Sequence, residues 1–93
     1  MNVTILPANV RVQRDTPVEM TATVDGETLQ VALEWQVIER WLGERASDVA
    51  AVRNAIQQRR QSIERVIQSR VYAHGLPISG EMTLGVRDLD VRA

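Results

Sequence analysis

At 93 residues, with 44% apolar and 25% charged side chains, the chain has the composition of one small folded domain, 1–93, with a thin core. It contains no cysteine, which excludes disulfides, thiolate chemistry and cysteine-based zinc sites and leaves packing alone to hold the fold. Net charge is −1, yet residues 47–73 carry five arginines against two acids while the remainder is acidic on balance. Such asymmetry fits either an interaction surface or a basic element attracted to its own acidic body.

In chain order, Val3 to Leu6 and Val10 to Gln13 alternate apolar and polar residues around a break at Pro7-Ala8-Asn9, and predict short or edge strands. The stretch VEMTATVDGETLQVALE predicts a hairpin. Val18, Met20, Ala22 and Val24 share one face, Asp25-Gly26 supplies a two-residue turn that favours positive φ, and Leu29, Val31 and Leu33 resume the alternation. The opposite face then carries Glu19, Thr21, Thr23, Thr28 and Gln30.

At Trp35 the period lengthens: Trp35, Ile38, Trp41 and Leu42 predict a short amphipathic helix, with Glu34 at its start and Gly43 at its end. Ser47 and Asp48 then supply an N-cap and a first-turn acid for a long helix running to about Tyr72, with His74-Gly75 at the exit and Pro77 beyond. Residues 80–86 alternate once more and predict a closing strand, followed by an acidic tail at Asp88 and Asp90. The fold class that follows is α+β: a small antiparallel sheet of three or four strands, with the Asp25-Gly26 hairpin central, packed on one face against two helices in the order β-β-β-α-α-β.

The stretch Arg53 to Gly75 holds the chemistry that needs explaining. A helical wheel places Val49, Val52, Ile56, Ile63, Val66 and Ile67 in one stripe, and the three-four spacing 49, 52, 56, 59, 63, 66, 70 puts Arg59 and Arg70 inside it, with Arg60 at its edge. Three readings stay open. The arginine stems lie on the stripe while their heads meet carboxylates of the same chain; or the stripe is shared in a homodimer, with Arg59 and Arg70 pairing across it to acids such as Glu64 or Asp88; or Arg53, Arg60 and Arg65 hold nucleic acid by charge. Arginines spread around the helix argue against groove reading, so nucleic acid is the alternative and not the main expectation. Trp41, at the margin of the short helix beside Arg40 and Arg45, joins Arg59, Arg60 and Arg70 as a candidate anchor for a protein partner.

His74 is the sole histidine and sits where an imidazolium caps a helix; no serine or threonine has an obvious base partner, and no phosphate-binding glycine pattern occurs. The expectation is therefore no catalytic residue, no metal and no cofactor. No apolar stretch approaches the roughly 18 residues of a membrane span, and no signal sequence opens the chain, so a cytoplasmic protein is expected.

The hairpin, the helix EWQVIERWLG and the arginine-rich helix, with Arg60-x-x-Ile63-Glu64, Val66-Ile67, Arg70 and Gly80-x-x-x-Leu84, resemble short bacterial proteins of domain of unknown function family 1488 over about Val18 to Leu89. The resemblance implies an α+β domain with three or four antiparallel strands and two helices, and it brings no activity with it. Arg60 matches the family pattern best. The combined expectation is a small bacterial protein acting as a non-enzymatic interaction or regulatory module, a homodimer or a partner-binding protein through the long helix, with nucleic-acid binding as the alternative.

Overall fold

The computed structural model describes residues 1–89. Four strands form one sheet in the spatial order β1 (Val3–Arg11), β2 (Val18–Val24), β3 (Glu27–Leu33), β4 (Glu81–Leu84). Between β3 and β4 run α1 (Trp35–Leu42), a 3-10 turn (Gly43–Ser47), α2 (Val49–Gln58) and α3 (Arg60–His74); a single turn of helix, α4 (Val86–Leu89), follows β4. Asp90 of the expected acidic tail lies outside the described residues.

The β2–β3 hairpin forms as its sequence predicts. Asp25 and Gly26 have φ of 50° and 88°, the pair of positive values that matches the twist of the flanking strands. Asp25 further accepts a hydrogen bond at Oδ1 from the Asn2 N–H, at 2.7 Å, which ties the turn to the start of β1. The register pairs Val18 with Leu33, Met20 with Val31 and Ala22 with Leu29, so one face of the hairpin is apolar and buried up to the exposed Glu27 opposite Val24 at the turn. β1 is one strand, not two: it pairs antiparallel with β2, and the Pro7-Ala8-Asn9 interruption appears as a register shift between Leu6 and Arg11.

The α+β architecture and the strand number agree with expectation, whereas the direction of the last strand does not. β4 pairs with β3 in parallel, Gln30 opposite Glu81 and Leu33 opposite Leu84. The reason is the connection: α1, the 3-10 turn, α2 and α3 carry the chain back to the end of the sheet where β3 began, the long crossover that parallel pairing requires.

A second correction concerns the helices. The long helix divides at Arg59, whose φ of −103° and ψ of 11° leave the helical range while its N–H still donates to the carbonyls of Ala55 and Ile56. That one-residue break turns the buried face. Ala51, Val52, Ala55 and Ile56 of α2, and Ile63, Ile67 and Val71 of α3, cover the sheet, whereas Val49 is 45% exposed and Val66 lies only at the core's margin. Asp48, and not Ser47, caps α2, its Oδ1 accepting from the Ala50 N–H at 3.0 Å. The core is built from Ile, Val, Leu, Met and Ala; both tryptophans pack against it from the side, partly exposed.

Candidate functional site

Four of the five arginines on α2, its C-terminal cap and α3 have their heads engaged within the chain. Arg53 Nη1 donates to the Val10 carbonyl at 3.0 Å. Arg59 lies over the Trp41 ring, its guanidinium carbon 4.8 Å from the ring centroid, a cation–π contact that joins the helix break to the end of α1. Arg60 Nε sits 3.9 Å from Glu64 Oε2, and the same carboxylate oxygen accepts from the Ile5 N–H at 2.9 Å. Arg70 Nη1 donates to the Thr83 carbonyl at 2.7 Å and stands 3.6 Å from Asp88 Oδ1. Arg65 alone of the five is exposed with no ion-pair or hydrogen-bond partner among the described residues.

The structure therefore brings Arg59 and Trp41 together and separates the other candidate residues. Arg60 reaches toward β1, Arg70 toward β4 on the far side of the sheet, and Arg53, Arg60 and Arg65 do not form a row of free cations. Most of the stripe is covered by the chain's own sheet, with Val52, Ile63 and Ile67 fully buried, Val66 at the margin and Val49 exposed. Arg59 and Arg70 lie at the margins of that stripe because the break at Arg59 rotates α3 relative to α2.

The helices leave one large surface bare: the outer face of the sheet. Two rows of side chains cross it. Arg11, Glu19, Ala32 and Thr83 form one, and Leu6, Thr21, Gln30 and Glu81 the next, in each case by direct register through all four strands. Ala32 is the small residue in the first row, and the space above it opens a shallow depression of about 280 Å³ lined by Glu19, Gln30, Glu81 and Thr83. A second depression of about 480 Å³ adjoins it through Glu19 and Gln30 and extends over Asn9, Arg11 and Thr21. The surface is polar, with two carboxylates at its rim, and Thr21 Oγ1 donates to Gln30 Oε1 at 3.2 Å across β2 and β3.

Sequence reasoning places Glu19, Thr21 and Gln30 on this polar face but does not single them out as a site; it predicts the closing strand at 80–86 without placing Glu81 and Thr83 beside them, and it assigns Ala32 no role. The available signal was Ala32 itself, a small residue at an outward position between long ones. His74 is exposed at the end of α3, and among the described residues no group of three or more His, Asp or Glu is arranged to hold a metal ion.

A sheet with helices on one face and the other face uncovered defines an open-faced α+β sandwich. The same arrangement occurs in the crystal structure of a protein of unknown function from domain of unknown function family 1488 of Shewanella loihica PV-4: the TM-score is 0.68 at 15% identity, over 90% of this chain and 94% of that one. The likeness is one of fold, and it agrees with the resemblance drawn from Arg60-x-x-Ile63-Glu64 and Gly80-x-x-x-Leu84. No family model and no curated protein matches the chain.

Proposed function

We propose that this protein is a non-enzymatic interaction module that meets its partner through the open face of the sheet, centred on Ala32. The observation that supports this reading is the engagement of the helical side: its apolar stripe, Val49 apart, is taken up by the core or its margin, and Arg53, Arg59, Arg60 and Arg70 are held by the chain's own backbone, ring and carboxylates. The outer face is by contrast uncovered, concave over Ala32 and crossed by the polar side chains of Glu19, Gln30, Glu81 and Thr83. Glu19 and Glu81 suit a partner that presents a cationic side chain to the depression. A polar surface of this kind favours a wet, reversible contact over an obligate one.

A homodimer formed by sharing the α2–α3 stripe would have to take Ile63 and Ile67 out of their own core, so the module is not assigned that mode. Phosphate binding by Arg53, Arg60 and Arg65 finds only Arg65 free to act.

Differential capture tests the proposal. The immobilised protein is compared with Ala32→Arg, which fills the depression, and with Arg65→Glu, which reverses the free cation on the helical side, each checked for fold by circular dichroism. A partner held by wild type and by Arg65→Glu but lost with Ala32→Arg supports the open face. The opposite pattern, loss with Arg65→Glu and retention with Ala32→Arg, places the contact on the helices and ends this reading.

A further inference from the structure

Both edges of the sheet end in backbone groups that point away from the neighbouring strand, and side chains of the helical layer meet them. On β1, the Asp25 N–H donates to the Asn2 carbonyl, so Asn2 and Thr4 turn their backbone groups toward β2 and the Ile5 N–H faces outward by alternation. Glu64 accepts that N–H and Arg53 donates to the Val10 carbonyl further along; Pro7 between them has no N–H to offer. On β4, the Gln30 N–H donates to the Gly80 carbonyl and the Glu34 N–H to the Leu84 carbonyl, so Glu81, Thr83 and Gly85 face outward. The Glu81 N–H donates to Ser79 Oγ at 3.3 Å, the Thr83 carbonyl accepts from Arg70, and the Gly85 N–H donates to Asp88 Oδ2 at 2.8 Å.

We infer that Glu64 and Arg70 are edge guards: Glu64 occupies the outward Ile5 N–H of β1 and Arg70 the outward Thr83 carbonyl of β4, and they thereby stop the sheet from being extended by a second copy of this chain. An open strand edge is a template for another strand, and natural sheets block theirs with charges, proline, irregularity and short length. All four devices are present here, and the two charges sit on opposite edges of one sheet. Arg60 positions the Glu64 carboxylate, and Asp88 does the same for the Arg70 guanidinium. Removing one guard frees one edge, and a single free edge pairs with its own copy to give a closed two-fold dimer; freeing both edges allows continued, open-ended addition.

The experiment measures mass by light scattering from low to high micromolar concentration for wild type, Glu64→Ala, Arg70→Ala, the double variant and Glu64→Gln. Wild type is expected to hold one mass throughout. Each single alanine variant should move toward twice that mass as concentration rises, and the double variant should pass beyond it. Glu64→Gln keeps an oxygen able to accept the Ile5 N–H and should follow wild type. In Glu64→Ala at low concentration the Ile5 amide should exchange with solvent about tenfold faster, the effect of losing a hydrogen bond to a charged acceptor, and should regain protection as mass rises.

If Glu64→Ala and Arg70→Ala fold yet keep the wild-type mass at every concentration while the Ile5 amide is exposed, open edges do not pair and the inference is overturned. Should Glu64→Ala fail to fold, Arg70→Ala on the opposite edge decides alone: a rise in mass supports the guard, and a constant mass overturns it.

Discussion

Arg59 shows how one side chain can be both an irregularity and a fastening. It lies in neither α2 nor α3, and its head covers the face of Trp41. Both groups are partly exposed, so the contact should be worth about 0.5–1 kcal/mol, the range for cation–π pairs near solvent. Arg59→Ala is accordingly expected to lower the unfolding free energy from urea titration by that modest amount and to alter tryptophan emission, with no change in mass; a shift in mass with unchanged stability would refute an intrachain role. Gly26 is the other residue whose conformation is demanding. At φ of 88° a side chain is strained whatever the space around it, and Gly26→Ala should cost about 1–2 kcal/mol, read as a lower thermal midpoint. Asp25-Gly26 was legible in the sequence because the turn's backbone requirement names its residues almost uniquely. Arg59 was not, since nothing about an arginine announces a break when neither proline nor glycine accompanies it.

Among the elements, those governed by local rules were readable and those governed by packing were not. The hairpin and α1 follow from alternation, from the change of period at Trp35 and from Gly43, and their observed bounds agree with expectation. The continuous stripe through residues 49–70 assumed one uninterrupted helix, and a single residue outside helical geometry was enough to carry Val49 out of the core and bring Ala51 and Ala55 in. Parallel β3–β4 pairing was in principle deducible, because a helical connection between strands of one sheet is a crossover. At the start of α2 the local rule held with a shift of one residue. Asp48 accepts the Ala50 N–H and adds negative charge at the helix N-terminus, so Asp48→Ala should destabilise the protein by about 1 kcal/mol; Ser47→Ala, whose hydroxyl bonds to the Glu44 carbonyl in the preceding turn, should cost less. Urea titrations of the two variants side by side check that order.

For the whole molecule, the division of labour between the two sheet faces decides what changes are tolerated. Periodicity reveals which strand residues point outward, but concavity over Ala32 depends on which strands become neighbours, and β4 reaches that position only through the crossover. The inner face has no such freedom. Ile67 is fully exposed to packing and not at all to water, held between α3 and a sheet whose buried side chains include Leu33 and Leu84. With no aromatic ring wholly inside, the core has little means of closing over a gap, and truncation leaves a void whose lining loses its dispersion partners. Ile67→Ala should therefore cost about 2–5 kcal/mol, a large share of the roughly 5–15 kcal/mol that stabilises a domain. Ala32→Arg, on the other face of the same sheet, should stay within about 0.5 kcal/mol of wild type. Paired urea unfolding curves test the contrast: comparable midpoints for the two variants would mean that the outer face carries structural weight, and the open surface could no longer be treated as free for a partner.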